Sequence, residues 1–489
     1  MSSLKAQGTK AFIWDFFGKM ATHGMGFIVS IFLARILEPS DFGLVAMSMV
    51  IIAIAGIFSD IGLGGALIQR RRVRPIHYSS VFYFNIFIGL FLTLVTYFSA
   101  PQISKFYGNE QILALTEVLS ILFIINAFSS VQSVRLRKEL NYTLLTKITL
   151  IASLISGIVG ISLAFWGAGV WSLVAQALTQ GIIYNILIWS AKHWRPSLEF
   201  SWKALTQLWG YGFRMFLSSL LNTVYTQIDT IIIGKLFDSA TLGFFNRAKS
   251  LHGLAMQYSS SSLMAVLFPV LSKVQKDLPR FQNIVLKSLG IINFITFMLI
   301  GSLYLVSHEL IMILYGEKWL QSVYYFKILI LSGFAYPISA LLVNVLSSRG
   351  NSKAFLRLEI YKKLIGSISL IVLYFFGIEM FLYALIVQAV INGYILNILY
   401  ASREIFVPFS QFSKPLLVQA AIAATSIILT IFFSKDIILH DAIMILIKGT
   451  MFLLFYVGFS YLFKTSSFRY FLEQIVPLIR KKLTNRTKD

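Results

Sequence analysis

The chain contains no cysteine. That excludes disulfides, thiolate nucleophiles and thiolate-bound zinc. Charge is scarce as well. Only 13% of the residues are Asp, Glu, Lys or Arg, about half the share of a soluble globular chain. So few charges do not cover a water-facing surface, and most of the surface is expected to face lipid. Acidic residues are the scarcest class, 20 against 42 Lys and Arg, for a net charge of +22. In a soluble protein that excess points to nucleic acid. In a membrane protein it points to orientation and contact with anionic lipid, so no nucleic-acid partner is expected. Long polar connections are missing too, which leaves no room for a folded domain outside the membrane. There is no GxxxxGK[ST] loop, so no ATPase of that type is implied. No His and acid cluster has metal-ligand spacing. No catalytic residue, metal site or organic cofactor is expected, and the chain is not read as an enzyme.

What the sequence does have is apolar length. Hydrophobic residues make up 57% of the chain, with a mean hydropathy of +0.77. A helix that crosses the hydrocarbon core needs about 20 apolar residues. Such stretches recur about fourteen times, the first near 11–37 and the last near 442–463, so the chain reads as an all-α multi-pass membrane protein. The first stretch carries Asp15 and Lys19 and has no small-residue cleavage site, so it reads as a retained helix rather than a secretory signal. Cations favour the cytoplasmic side. With the N-terminus inside, most of the 42 cations fall in cytoplasmic loops, among them Arg70 to Arg74, Arg135 to Lys147, Arg349 to Lys363 and the tail. That split predicts an even number of spans and two cytoplasmic termini. The longest outside loops are expected near Ser99–Gln111 and Ser307–Ser322.

The chain also repeats itself. VAQALTQGIIYNILIWS (174–190) matches IVQAVINGYILNILYAS (386–402) without a gap, pairing Gln176 with Gln388, Gly181 with Gly393 and Asn185 with Asn397. LARILEPSDFG (33–43) matches IGKLFDSATLG (233–243), pairing Arg35 with Lys235 and Gly43 with Gly243. Tyr107-Gly108 matches Tyr315-Gly316. Polar matches in register argue against a chance likeness of apolar helices. A six-span unit re-enters from the same side, so two parallel repeats are expected about a pseudo-two-fold axis along the membrane normal, with a cleft between them. The expected divisions are a first six-helix repeat at 1–200, a second at 201–407, two added helices at 408–464 and a basic tail at 465–489.

LARILEPSDFGLVAM, FSDIGLGGALIQRR and ILYGEKW, on twelve repeated spans plus two, resemble the polysaccharide-transporter branch of the multidrug/oligosaccharidyl-lipid/polysaccharide superfamily, whose members include O-antigen and exopolysaccharide repeat-unit flippases. The resemblance covers essentially the whole chain. It implies a bacterial inner-membrane flippase that moves undecaprenyl-diphosphate-linked oligosaccharide from the cytoplasmic to the periplasmic leaflet by alternating access, for lipopolysaccharide or exopolysaccharide assembly. Membrane lipids and polysaccharide polymerase machinery are the implied partners, and a monomer is expected. Two other readings stand beside it, an ion-coupled multidrug exporter of the same superfamily and a membrane polymerase or ligase. In-span cations outnumber acids, which favours anionic cargo over drug cations. Short outside loops disfavour the polymerase. A coupling ion, H+ or Na+, is left open.

A diphosphate in hydrocarbon costs several to tens of kcal/mol, so a flippase of such cargo needs cations at membrane depth. Each in-span charge is itself costly. Lys19, Arg214, Arg247 and Lys249 are therefore the candidate substrate-binding residues. Asp15, Lys19 and His23 recur every four residues, on one face of the first helix. His23, Arg35, Asp60, Asp229 and Lys235 are candidates for coupling or gating. Arg35 and Lys235, at helix C-termini, are favoured there by the helix dipole. Structural roles compete at each position, above all ion pairing at Asp15, Asp60 and Asp229. Lys327, Lys448 and His252 complete the set of buried-depth polar candidates. Asn126, the Ser259–Ser262 run and the repeat-matched Asn and Gln residues are polar enough to line a sugar cavity or to join helices.

Overall fold

The structure is a computed structural model that describes residues 2–191 and 194–473, with side chains described except at 2–13, 15 and 257–266. Asp15, the Ser259–Ser262 run and the last cations of the tail therefore lie outside the described side chains. Every regular element among the described residues is helical. Eleven stretches are long and apolar enough to cross a membrane. The 35-residue helices Trp202–Leu236 and Ser239–Lys273 are not among these eleven. One of the eleven, Ser352–Ile405, runs for 54 residues and is interrupted at Gly377, whose φ of 83° leaves the helical region.

The chain divides into two compact units, Met1–Asn246 and Arg247–Asp489. The first holds α1 (Ser2–Ile36), α2 (Pro39–Gly56), α3 (Leu63–Gln69), α4 (Pro75–Tyr107), α5 (Gln111–Lys138), α6 (Tyr142–Phe165), α7 (Trp171–Ser190), α8 (Trp202–Leu236) and the start of α9 (Ser239–Lys273). The residues from Ser99 to Tyr107 are the last turns of α4, not a loop. Small residues let the helices close on one another, as lipid-embedded packing requires. A Cβ at Gly18 would meet Thr146 at 2.2 Å, and one at Gly157 would meet Val29 at 2.4 Å, which seats α1 on α6. Gly89 does the same for α4 on α5 against Ala127. Leu63, Leu67, Val81, Phe82, Val131, Leu205 and Leu208 join α3, α4, α5 and α8 in one buried cluster. That packing groups α8 with the first unit.

Between α2 and α3 the backbone breaks. Ile61 and Gly62 both take positive φ, 43° and 71°. The Asp60 carboxylate closes the break by accepting the Gly64 backbone N–H at 3.0 Å. Gly62 also lies under α8, where a Cβ would meet the Gly212 carbonyl oxygen at 2.2 Å. Glycine is thus required at 62 twice over, for its φ and for the close approach.

The second unit continues with α10 (Leu278–Leu305), α11 (Ser307–Tyr315), α12 (Leu320–Ser332), α13 (Ala335–Ser348) and α14 (Ser352–Gln388). A π-helical stretch, Ala389–Leu396, leads into α15 (Asn397–Ile405), followed by α16 (Phe409–Ser434) and α17 (Asp441–Leu462). The expected outside loop after Ser307 is α11 instead, with Glu309 and Tyr315 buried. Phe294, Phe452 and Tyr456 stack where α10 meets α17, and the Tyr456 hydroxyl donates to the Phe294 carbonyl at 2.8 Å.

The repeat-matched residues make matching contacts inside their own units. The Asn185 amide donates to the Gly181 carbonyl at 2.9 Å, and the Asn397 amide donates to the Gly393 carbonyl at 3.4 Å. A Cβ at Gly181 would meet Ile125 at 2.8 Å, and one at Gly393 would meet Ala335 at 2.1 Å. The two glycines are 212 residues apart and their neighbours 210.

Candidate functional site

The first unit holds a cavity of about 370 Å³ lined by Gly18, Lys19, Thr22, His23, Arg137, Tyr142, Leu145, Thr146, Thr149 and Tyr184. Helical geometry builds its α1 wall, since positions 18, 19, 22 and 23 follow the three-and-four spacing of one face. Gly18 lets α1 approach α6 closely enough for the Thr146 hydroxyl to donate to the Trp14 carbonyl at 3.3 Å. Tyr184 is held by Ser133, hydroxyl to hydroxyl at 2.9 Å. Lys19, His23 and Arg137 therefore converge, and no carboxylate lines the cavity among the described residues. At about 370 Å³ it falls at the small end of ligand pockets.

Arg137 was not singled out from sequence beyond its place in a cytoplasmic charge cluster. Packing sorts that cluster. Arg135 forms an ion pair with Glu139 at 2.8 Å. Lys138 donates to the carbonyls of Leu67 and Arg70. Arg137 turns to the cavity. A signal was present: Arg135 and Glu139 share a helix face, and Arg137 sits about 200° around the helix from Arg135.

The remaining candidates are not among the residues that line this cavity. Arg214 is exposed on α8, and Lys249 is half-buried on α9. Arg247 is 8% exposed. Its guanidinium lies 5.1 Å from the centre of the Tyr315 ring and 5.4 Å from that of Trp319, so it is held by the aromatic residues of the LYGEKW motif. Burial raises the Tyr315 hydroxyl above the ordinary phenol pKa, and the Arg247 charge acts against that rise. Asp229 accepts the Thr230 backbone N–H at 2.7 Å, and Asp60 caps the break described above. Lys327 lies 5.9 Å from the Tyr304 ring centre. Lys448 of α17 is paired with buried Glu309 of α11. His252 lies against Gly333.

Arg35 and Lys235 occupy the last turns of α1 and α8. Lys235 donates to the Phe106 carbonyl and lies 5.0 Å from the Phe106 ring centre. The next helices begin with acidic caps. Asp41 accepts the Glu38 backbone N–H at 3.1 Å, and Asp238 accepts the Thr241 backbone N–H at 2.8 Å. These two helix starts touch reciprocally. A Cβ at Gly43 would meet the Ser239 carbonyl oxygen at 1.7 Å, and one at Gly243 would meet the Pro39 carbonyl oxygen at 1.9 Å.

Comparison with known proteins gives three kinds of match. A family model described as polysaccharide biosynthesis protein matches residues 32–324. An uncharacterized membrane protein in the cps region of Klebsiella pneumoniae is 26% identical over 350 residues, covering 70% of this chain and 72% of that protein. The lipopolysaccharide biosynthesis protein WzxC of Escherichia coli (strain K12) is 22% identical over 366 residues, covering 74% of each. Among solved structures, the lipid II flippase MurJ in an inward closed conformation superposes with a TM-score of 0.70 at 17% identity, covering 93% of this chain and 99% of that one. That likeness shows a shared fold.

Proposed function

The chain belongs to the polysaccharide biosynthesis protein family, and from that premise we propose that it is a flippase for undecaprenyl-diphosphate-linked oligosaccharide. It carries the repeat unit from the cytoplasmic to the periplasmic leaflet of a bacterial inner membrane by alternating access. The observation that carries this reading is the cavity of Lys19, His23 and Arg137, with hydroxyls from Thr22, Tyr142 and Tyr184 around it. Lys19 and Arg137 place two positive charges on the lining of one cavity, which favours an anion there. Arg137 offers two N–H groups in a planar fork and Lys19 a point charge, a complementary pair for the two phosphates of a diphosphate. The hydroxyls offer hydrogen bonds to the first sugar. The polyprenyl tail stays in lipid, so only the headgroup has to be desolvated. No covalent bond changes in this step.

The reading extends to architecture. Fourteen spans, two parallel six-helix repeats at 1–200 and 201–407, two added helices at 408–464 and a cytoplasmic tail from 465 are our proposal, with both termini cytoplasmic. The matched contacts at Gly181 and Gly393, and the reciprocal contact of Gly43 with Ser239 and of Gly243 with Pro39, support it. Arg214 and Lys249 act as further cationic steps for the headgroup. Arg247 acts through the Tyr315 and Trp319 rings rather than as the first contact. Arg35 and Lys235 gate the far end of the path, and Asp60 and Asp229 hold helix geometry. Coupling to H+ or Na+, association with a polymerase and a monomeric state belong to the same proposal.

The test is binding. A short-chain polyprenyl diphosphate should raise the melting temperature of the purified protein, while the matching monophosphate raises it less. The Lys19→Ala/Arg137→Ala variant should lose that stabilisation. A variant that folds and is still stabilised to the parent extent would remove the cavity from the mechanism.

A further inference from the structure

A second cavity lies in the other unit, and none of its lining residues has been given a role above. It measures about 310 Å³ and is lined by Leu286, Leu289 and Gly290 of α10, by Ser410, Gln411, Lys414 and Pro415 of α16, and by Ser466 and Tyr470. Residues 466–473 form a helical segment after α17. This segment is anchored through Phe468 and Phe471, whose rings lie 5.4 and 4.8 Å from that of Phe294. Gly290 makes room for the segment, because a Cβ there would meet the Tyr470 ring at 2.8 Å.

The charges around this cavity are unevenly spent. Glu473 is taken up by Lys287 at 3.8 Å and by Arg469 at 3.9 Å. Both of those cations also lie over the Tyr470 ring, at 5.8 and 5.5 Å from its centre. Lys414 is exposed, and it is the one charged residue among the described lining residues. Three hydroxyls, at Ser410, Ser466 and Tyr470, and the Gln411 amide line the cavity with it. The other lining side chains, Leu286, Leu289 and Pro415, are apolar. A cation and neutral donors beside apolar lining residues, next to the exposed Leu417 and Val418 of α16, match a molecule with an anionic head and a hydrocarbon body.

We propose that this cavity binds one anionic phospholipid. Its phosphodiester sits on Lys414, with the hydroxyls of Ser410, Ser466 and Tyr470 donating to the phosphate and the headgroup, and its acyl chains run along the exposed apolar face of α16. The bound lipid holds the 466–473 segment against α10. This proposal stands apart from the cargo reading. The cavity shares no lining residue with the Lys19 site, and its ligand would stay in place while cargo moves.

Native mass spectrometry of the detergent-solubilised full chain tests it. The probes are phosphatidylglycerol and phosphatidylcholine of identical acyl chains, each titrated alone. The first phosphatidylglycerol is expected to bind at least about tenfold more tightly than phosphatidylcholine. Lys414→Gln should remove most of that preference, while Lys353→Gln, a cation elsewhere on the chain, should leave it unchanged. Should Lys414→Gln fold poorly, Ser466→Ala/Tyr470→Phe gives the second reading, with an expected loss of severalfold. Equal binding of the two lipids by the parent would overturn the proposal. So would full retention of the preference in both variants, or displacement of phosphatidylglycerol by millimolar inorganic phosphate, which would make the free ion the ligand.

Discussion

Replacing Gly43 by alanine tests the contact between the starts of α2 and α9. The new Cβ would lie 1.7 Å from the Ser239 carbonyl oxygen, where real Cβ atoms essentially never come closer than 3.0 Å. The obstacle is backbone, so no side chain can swing aside, and the two helix starts must part by more than an ångström. Overpacking of this kind costs about 1–3 kcal/mol. The helix gains up to about 1 kcal/mol from losing a glycine, which leaves a net penalty of roughly 1–2 kcal/mol. Since about 1.4 kcal/mol is a factor of ten, states with this contact open should gain about tenfold in population. The absence of cysteine makes the readout clean. Met47, one turn further along α2, is 3% exposed. Met47→Cys should react slowly with a maleimide in the parent background and about tenfold faster with Gly43→Ala. Gly24→Ala, where a Cβ meets nothing within 4 Å, should leave the rate unchanged. An unchanged rate and melting temperature in the Gly43→Ala/Gly243→Ala double variant would refute the reasoning.

The Lys448 and Glu309 pair should behave as a buried ion pair. Lys448→Met alone strands Glu309, which is 4% exposed, and is expected to cost about 3 kcal/mol or more, read as a drop in melting temperature that Lys448→Met/Glu309→Gln largely restores. Arg247→Lys should lower the melting temperature almost as much as Arg247→Ala, because a planar guanidinium stacks on Tyr315 and Trp319 where an ammonium does not. If lysine fully substitutes, the stacking argument fails. For topology, a cysteine at Arg72 should react only with reagent from the cytoplasm and one at Asn109 only from outside, and the opposite pattern would invert the orientation.

Much of the helical layout was legible because lipid imposes one rule, an apolar run long enough to span, and because glycine marked the close approaches. The matching contacts of Asn185 and Asn397 were legible as an in-register sequence match, since amides in register survive where apolar residues blur. Segment ends were harder. Ser99–Tyr107 and Ser307–Tyr315 carry polar residues that suggest loops, yet both are helical, because their buried faces pack Ser104, Tyr107, Glu309 and Tyr315 inside. The break at Asp60-Ile61-Gly62 was hidden inside an apolar run. Half of the candidate cavity was visible, in the four-residue spacing of Lys19 and His23. Arg137 was not, because only tertiary contacts decide which cation of a cluster is spent on Glu139, which on carbonyl oxygens and which on a cavity. The aromatic partners of Arg247 lay in the ILYGEKW motif, but no periodicity connects residue 247 to residue 315.

Under the proposed function, the cavity of Lys19 and Arg137 receives the diphosphate headgroup of a lipid-linked oligosaccharide on its way across the membrane. The most direct test of that step is translocation by the purified chain in sealed vesicles, read by access of an added lectin or glycosidase to a labelled undecaprenyl-diphosphate oligosaccharide. The account predicts flipping by the parent and strong loss in Lys19→Ala/Arg137→Ala at equal protein content. It also predicts partial recovery when Arg137 is restored alone. Flipping at the parent rate by the double variant would contradict it.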